Sequence, residues 1–279
     1  MKKIIAYITI LRPLNLLITF FSIYFAIIIA DKSLLFSLKA FIGSLSGALI
    51  SGAGMVINDY FDVEIDKINR PERPIPSGKI SIKEAMIYYL ILNLVALFLI
   101  SITNFPAFLI ASLSIVIIFL YSFRFKHKGL IGNFVVAFMT GLAFIFGGVI
   151  GENILPLIFP FLFALLINLA REILKDIEDI EGDKSKGLKT FPIVYGEKKS
   201  IELISVLLFL TIVLTIVPYL LDIFNVYYLI IVLFGVDLCL IYVIKKVNSP
   251  FAKNDLRKLS DLIKYEMIIG LIAIYIGLN

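Results

Sequence analysis

The amino-acid sequence predicts an all-α polytopic membrane protein with nine transmembrane helices. Of its 279 residues, 60% are hydrophobic, and the mean hydropathy is +1.01, whereas soluble domains are usually about 45–50% apolar. Nine apolar runs are each long enough to cross the hydrocarbon core of a bilayer. The positively charged residues between these runs fall almost entirely on one side. These three observations exclude a soluble globular protein.

The predicted elements follow one another with mostly short connections. Residues 1–12 are predicted to form an interfacial half-helix, and Pro13 is predicted to break or kink the chain beside Arg12. The second span is rich in glycine and serine, which let helices pack closely. In chain order the spans are predicted at residues 14–30, 36–58, 84–103, 105–122, 130–150, 153–172, 200–221, 223–244 and 260–278.

The distribution of lysine and arginine predicts the orientation. If the crossings alternate, 24 of the 26 Lys and Arg residues lie on one side, and the other side has only Lys32 and Lys39. Positive residues are retained on the cytoplasmic side of membrane proteins. The N-terminus is therefore predicted to be cytoplasmic and the C-terminus, after nine spans, to lie outside.

Two rare residue types limit the chemistry. The single cysteine, Cys239, excludes an intramolecular disulfide and a cysteine zinc site, and the single histidine, His127, excludes a histidine metal cluster. Asp237 lies inside the eighth predicted span, where a carboxylate is costly unless it is paired or hydrated. It is interpreted either as a packing hydrogen bond or as a cavity residue.

Two acidic segments repeat the aspartate spacing D-x2-D-x3-D. The first aspartate motif is residues 58–66 and the second is residues 176–183, and each ends a long apolar run on the predicted cytoplasmic side. Offsets of three and seven residues keep the carboxylates on one helical face, whereas the intervening glutamates are expected to face solvent. The aspartates are Asp59, Asp62 and Asp66 in the first motif and Asp176, Asp179 and Asp183 in the second.

The density of negative charge predicts a metal site. Two such faces brought together hold up to six carboxylates, which require divalent cations for neutralisation. Mg²⁺ prefers oxygen ligands and is commonly held by carboxylates together with substrate phosphates. Asn58 adds an amide that can bind a metal or a phosphate. The motifs therefore favour a bound magnesium diphosphate; the alternative is that they are solvated helix-end aspartates.

Basic residues follow the acidic motifs. Arg70 and Arg73 lie in a loop with three prolines, which is expected to be stiff enough to hold guanidinium groups over a phosphate. Lys126 lies in the third inner loop, and Lys189 follows the second motif. The alternative is that these residues only set orientation and contact anionic lipid headgroups.

These residues resemble the UbiA superfamily of intramembrane prenyltransferases. Its first motif, N-D-x-x-D-x-x-x-D, is matched by residues 58–66, and its second by residues 176–183. Arg12-Pro13, followed by Asn15, resembles the Arg-Pro pair near the start of the family, and Tyr121 with Lys126 resembles its Tyr-to-Lys loop. The resemblance covers residues 12–200 by motif and reaches the end of the chain by span count.

The resemblance implies a nine-helix bundle with a central cavity open to the cytoplasm, in which a prenyl group passes from a prenyl diphosphate to an acceptor. It implies Mg²⁺ as the cofactor. It also implies that the residues of the motifs and loops bind the metal, bind substrate or take part in catalysis. The implied metal ligands are Asp62, Asp66, Asp179 and Asp183; the implied substrate-binding residues are Asn58, Arg70, Arg73, Tyr121, Arg12, Asn15 and Lys189; and the implied catalytic residues are Asp59, Asp176 and Lys126.

Within the superfamily, residues 69–78 and 171–192 look most like the archaeal digeranylgeranylglyceryl phosphate synthases. This likeness implies a lipid-phosphate acceptor within the membrane, and neither a nucleic acid nor an obligate protein partner. Prenylation of an aromatic quinone or haem precursor by the same chemistry is an open alternative. A transporter is a more distant alternative. The charges that bind its solute are expected near the midplane of the membrane, whereas the charges of this chain lie at the predicted cytoplasmic helix ends.

Overall fold

The computed structural model describes residues 2–126, 128–185, 187–250 and 253–278. Over these ranges the chain is helical, without a β-strand and with one isolated β-bridge between Phe224 and Leu278. The α-helices are α1 (Lys2–Ile10), α2 (Pro13–Ala30), α3 (Leu38–Phe61), α4 (Val63–Asn69), α5 (Ile82–Ser101), α6 (Phe105–Leu120), α7 (Leu130–Ile150), α8 (Ile158–Glu178), α9 (Ile180–Ser185), α10 (Phe191–Tyr195), α11 (Glu197–Leu220), α12 (Val226–Ile231), α13 (Leu238–Val247) and α14 (Lys253–Ile276). Turns of 3-10 helix lie at Lys32–Leu34 and Leu155–Leu157, and π-helical turns at Tyr121–Phe125 and Val232–Asp237.

Eight of the described helical segments are long and apolar enough to cross a membrane. They coincide with the first eight predicted spans, with ends that differ by a few residues. The predicted ninth span falls in α14, whose residues 255–266 include Asp255, Arg257, Lys258, Asp261, Lys264 and Glu266. These charges keep α14 outside the group of eight, so the ninth crossing stays a prediction.

The predicted break before the first span is present. α1 ends at Ile10, and Arg12 has a left-handed backbone conformation with a φ of 51°, which costs a non-glycine residue about 1 kcal/mol. Pro13 is the first residue of α2, where its missing N–H is not needed. The break therefore places Arg12 at the junction of the two helices.

The described residues fall into two compact units. The first comprises Met1–Phe125 and Ile145–Ile154, and the second comprises Lys126–Phe144 and Leu155–Asn279. Each unit contains one of the two aspartate motifs. The prediction of a single transmembrane domain over residues 1–279 stays a prediction.

In the first unit, α3 is the central helix and contacts α1, α2, α4, α5 and α6. The small residues predicted to permit close packing are largely buried, including Gly43, Ser44, Gly52 and Gly54. The hydroxyl of Ser46 donates to the carbonyl oxygen of Ala96 in α5 across 2.9 Å. This dense packing holds the C-terminal end of α3, which carries the first aspartate motif.

In the second unit, α8 contacts α11 and α14, and α11 also contacts α13. Gly141 lets α7 approach α8, since a Cβ atom there would lie 2.8 Å from the carbonyl oxygen of Phe161. Buried polar side chains bond to the backbone: the amide of Asn168 donates to Ala164 across 2.8 Å. α8 therefore has a fixed frame, and the second aspartate motif begins in its last turn.

We predict that Gly147→Leu destabilises the first unit by about 1–3 kcal/mol, because overpacking displaces neighbouring helices. A Cβ atom at Gly147 would overlap the Cβ of Ala26 and lie 3.0 Å from the carbonyl oxygen of Ile23. Thermal unfolding of the purified protein in one detergent measures the effect. Gly270→Ala is the control, since its Cβ would meet Val236 at an ordinary 3.9 Å; equal losses in both variants would contradict the prediction.

Candidate active site

Both aspartate motifs contain the same interruption of the helix. α3 ends at Phe61, and α4 begins at Val63, with Asp62 at the junction (φ −89°, ψ 3°). α8 ends at Glu178, and α9 begins at Ile180, with Asp179 at the junction (φ −94°, ψ 6°). In each motif the helix therefore ends at the second aspartate and restarts, an interruption that the aspartate spacing alone does not predict.

The hydrogen bonds show that this interruption is a bend rather than a reversal of the chain. The amide of Asp66 donates to the carbonyl oxygen of Asp62 across 2.8 Å, and the amide of Asp183 donates to that of Asp179 across 2.9 Å. These i to i−4 bonds continue the helical pattern. Each motif thus keeps its helical spacing while its last part is redirected.

The first motif presents its carboxylates to the protein interior. Asp59, Asp62 and Asp66 are only 2%, 8% and 5% exposed, whereas Glu64 faces solvent and pairs with Lys67. The predicted separation of the two residue types on opposite faces is confirmed in this motif. Buried carboxylates need cationic or hydrogen-bonding partners, so the charges around this motif decide its stability.

Two arginines from different parts of the first unit bond to the buried carboxylates. Nη2 of Arg12 lies 2.6 Å from Oδ1 of Asp59. Nη1 of Arg73 lies 2.6 Å from Oδ2 of Asp66 and 3.1 Å from the same Oδ1 of Asp59. One oxygen atom of Asp59 therefore accepts from both guanidinium groups, and Arg73 links the two ends of the motif. We call Arg12, Arg73, Asp59 and Asp66 the ion network.

The loop that carries Arg73 is anchored to the core of the first unit. Pro74, Ile75 and Ile80 are buried, and the two isoleucines join the apolar cluster around α3. The amide of Ile80 donates to the carbonyl oxygen of Pro74 across 3.0 Å. This anchoring fixes Arg73, whose side chain is 17% exposed, whereas Arg70 is exposed to solvent.

A serine that sequence reasoning missed orients the first motif. The hydroxyl of Ser122 donates to Oδ1 of Asn58 across 2.7 Å and also lies 2.9 Å from the carbonyl oxygen of Ile118. Ser122 belongs to the π-helical turn 121–125 that begins at Tyr121. π-Helical turns are rare and frequent at functional sites, but this one leaves no obvious sequence signal.

The second motif is more open than the first. Asp176 and Asp183 are half-buried, and Asp179 is exposed. Nδ2 of Asn133 donates to Oδ2 of Asp176 across 2.7 Å. Sequence reasoning also missed Asn133, although an asparagine inside the apolar run 130–150 could have indicated it. The predicted outward position is found for Glu181, whereas Glu178 is half-buried.

Other charges near the second motif are paired along α8. Nη1 of Arg171 lies 3.7 Å from Oε1 of Glu172. Glu172 also forms an ion pair with Lys175, one turn further along the helix. These residues neutralise one another locally.

The remaining predicted site residues are distributed over both units. In the first unit Asn15 and Tyr121 are half-buried, and in the second Lys126 is half-buried. Lys189 is exposed and lines a shallow cleft together with Lys128, Gly187 and Leu188. His127 and Lys186, also singled out in the sequence, lie outside the described residues.

The donor set of the first motif fits a hard cation. Its potential ligands are carboxylate oxygens and the Asn58 amide, without sulfur or imidazole, and Mg²⁺ prefers such oxygen ligands. Among the described residues, no three acidic, histidine or cysteine side chains converge closely enough to form a metal cluster. In this arrangement guanidinium groups occupy oxygen atoms of Asp59 and Asp66. A cation that binds these oxygens must displace those groups.

Comparison with known proteins places the chain in a family. Residues 19–268 match the sequence profile of the UbiA prenyltransferase family. The digeranylgeranylglyceryl phosphate synthase of Methanosphaera stadtmanae is 40% identical over 272 residues, which cover 97% of this chain and 98% of the relative.

Solved structures give the same result for the fold. A structure described as a digeranylgeranylglyceryl phosphate synthase in membranes superposes with a TM-score of 0.87 at 36% identity, over 99% of each chain. A UbiA homologue from Archaeoglobus fulgidus, bound to GPP and Mg²⁺, superposes with a TM-score of 0.72 at 22% identity, over 96% of this chain and 99% of the homologue. The two aspartate motifs, the apolar helices and these similarities identify the chain as a multi-pass membrane protein that belongs to the UbiA prenyltransferase family.

Proposed function

We propose that the protein transfers a geranylgeranyl group from geranylgeranyl diphosphate to the glycerol hydroxyl of geranylgeranylglyceryl phosphate. The product is digeranylgeranylglyceryl phosphate, a precursor of archaeal ether lipids. The observation that carries the proposal is the 40% identity, over nearly the full length of both chains, to an enzyme named for this product. The two aspartate motifs supply residues suited to the reaction.

Mg²⁺ is the proposed cofactor, and Asp62, Asp66, Asp179 and Asp183 are its proposed ligands. When bound, it neutralises the charge of the diphosphate and makes it a better leaving group. Asp62 and Asp179 each lie at the junction between two helices of their motif. Each motif is proposed to bind a diphosphate through Mg²⁺.

The ion network gives the arginines a second proposed role. Arg12 and Arg73 neutralise Asp59 and Asp66. A cation held by those carboxylates would supply the compensating charge instead, and the guanidinium groups could then bind a diphosphate. Planar guanidinium forks bind phosphate oxygens through paired hydrogen bonds. The same two arginines are thus proposed both to stabilise the carboxylates of the first motif and to bind the leaving group. Arg70, Lys126 and Lys189 are further residues proposed to bind substrate phosphates.

Asp176 is the proposed proton acceptor for the glycerol hydroxyl. Asp59 is engaged by both guanidinium groups through a single oxygen atom. Asp176 instead receives the neutral Asn133 amide on Oδ2, which orients its carboxylate. Asn58, held by Ser122, and the half-buried Asn15 and Tyr121 are proposed to bind substrate oxygens.

The proposed orientation places the N-terminus and both motifs in the cytoplasm. The excess of Lys and Arg between alternate spans supports this orientation, and a ninth crossing by α14 places the C-terminus outside. The water-soluble cofactor Mg²⁺ then reaches the site from the cytoplasm, while the prenyl chains remain in lipid.

The mass of the lipid product shows which acceptor the protein prenylates. We expect purified protein supplied with labelled geranylgeranyl diphosphate, Mg²⁺ and geranylgeranylglyceryl phosphate to form one lipid with the mass of digeranylgeranylglyceryl phosphate. Parallel reactions with an aromatic quinone precursor should give no prenylated product. Prenylation of the aromatic acceptor alone, measured by mass spectrometry, would replace this proposal with its alternative.

We expect Asp62→Ala, Asp66→Ala and Asp179→Ala each to reduce turnover about 100-fold or more, because each removes a proposed ligand of the Mg²⁺ that would neutralise the departing diphosphate. Turnover is measured in detergent with Mg²⁺ and labelled donor, alongside the thermal unfolding temperature. Glu64→Ala is the matched control within the first motif, since its exposed pair with Lys67 contributes little, and its turnover should change less than about 2-fold. Near-wild-type turnover in all three aspartate variants would rule out the metal-diphosphate mechanism.

We expect Arg73→Ala to lower the free energy of unfolding by about 3 kcal/mol, because it leaves buried Asp59 and Asp66 without a shared cation. Added Mg²⁺ should raise the unfolding temperature more in this variant than in the wild type, since a metal ion replaces the missing charge. Arg70→Ala is the control: its exposed side chain should change unfolding by less than about 0.5 kcal/mol. An Mg²⁺ effect that is identical in the wild type and both variants would contradict the exchange of arginine for metal.

A further inference from the structure

The second unit contains two buried carboxyl groups that the proposed reaction does not use. Asp237 ends the π-helical turn 232–237, and Glu266 lies in α14; each is only 2% exposed. The two groups are close enough to interact electrostatically. Consistent with this, a Cβ atom at Gly235 would lie 2.8 Å from Ile269, one turn along α14 from Glu266. Within the described ranges, neither carboxyl group forms an ion pair.

The hydrogen bonds around Asp237 indicate that it is neutral. The Thr215 hydroxyl lies 2.6 Å from the carbonyl oxygen of Ile212 and 3.2 Å from both carboxyl oxygens of Asp237. A hydroxyl has one proton, and the shortest contact directs it to Ile212. A protonated Asp237 can then donate to the Thr215 oxygen, which keeps this buried carboxyl group neutral. Tyr228 is occupied elsewhere, because its hydroxyl donates to the carbonyl oxygen of Thr215 across 2.9 Å.

Glu266 has no hydrogen bond comparable to the one between Thr215 and Asp237 in the described part of the chain. Both of its carboxyl oxygens are sealed from solvent, and neither has a hydrogen-bond partner in the described part of the chain. Protonation would remove its charge but leave a buried hydroxyl donor and a buried carbonyl acceptor unsatisfied, which is unfavourable. The nearby thiol of Cys239 is a weak hydrogen-bonding group and does not solve the problem. A bound cation would satisfy both oxygens and the charge of such a carboxylate at once.

We propose that Glu266, Asp237 and Thr215 form a binding site for one alkali-metal cation in the second unit. The three side chains provide only oxygen atoms, which hard cations prefer. The charges balance with a monovalent ion, since ionised Glu266 contributes one negative charge and neutral Asp237 contributes none; a divalent ion would leave a net positive charge in apolar surroundings. The π-helical turn adds to the site, because irregular helices in membrane proteins free backbone carbonyls that coordinate Na⁺.

The test compares thermal unfolding of the full chain in Na⁺, K⁺ and N-methylglucamine chloride at constant ionic strength, pH and Mg²⁺. Tyrosine fluorescence reports unfolding, because the chain has 13 Tyr and no Trp. We expect a saturating alkali cation to raise the unfolding temperature of the wild type by about 5 °C. Glu266→Gln should abolish this shift, retain wild-type prenyl transfer and melt in N-methylglucamine at or above the wild-type temperature. Glu202→Gln, at an exposed position of α11, should keep the full shift.

A direct binding measurement on the wild-type protein does not depend on whether a variant folds. Equilibrium binding of radioactive ²²Na⁺ and ⁸⁶Rb⁺ to the wild-type protein should show one site per chain for at least one of the two ions. Absence of binding for both ions would overturn the proposal. An unfolding temperature that varies with pH but not with the alkali cation would assign the charge of Glu266 to a proton instead, and would overturn it as well. A cation shift that persists in Glu266→Gln would overturn the location of the site.

Discussion

The first aspartate motif depends on the ion pairs that Arg12 and Arg73 make with Asp59 and Asp66. Carboxylates this deeply buried are unstable without compensating charge, and each arginine is fixed by a different feature of the chain. Arg12 is fixed by its own left-handed backbone conformation and by the proline that follows it at the start of α2. Arg73 is fixed by a loop whose isoleucines pack in the core of the first unit. The break before α2, the packing of the proline-rich loop and the end of α3 are therefore parts of one electrostatic arrangement. It explains why features that are distant in sequence occur together.

The two motifs share a backbone design but differ in environment. In both, the helix ends at the second aspartate and resumes after it. The first motif is buried and held by two guanidinium groups, whereas the second is more exposed and oriented by a neutral amide at Asp176. Equal spacing in sequence thus produced equal geometry but not equal charge compensation. The difference allows similar motifs to contribute differently to binding and proton transfer.

The sequence predicted the helical class, nine apolar spans of which eight are found among the described helices, the break at Pro13 and the inward face of the first motif, because each follows from local composition or periodicity. It did not predict the bends at Asp62 and Asp179, since nothing local distinguishes those positions from a continuing helix. Arg73 was predicted to face a phosphate, whereas the structure pairs it with Asp59 and Asp66. Ser122 and Asn133 were missed for the same reason: their partners are distant in sequence. Contacts between distant residues depend on packing, which one sequence read locally does not reveal.

The charge of a carboxylate buried in an apolar helix bundle can be balanced in two ways, by a cationic side chain of the protein or by a bound ion. Near the C-terminal end of α3, the guanidinium groups of Arg12 and Arg73 balance the charge of Asp59 and Asp66. Inside α12 to α14, no described arginine or lysine bonds to Asp237 or Glu266. Hydrogen bonding to Thr215 accommodates a neutral Asp237 but cannot extend to Glu266, whose oxygens are both unpartnered. The proposed alkali-metal cation balances this remaining charge from outside the chain, because the pocket supplies only oxygen atoms and one negative charge.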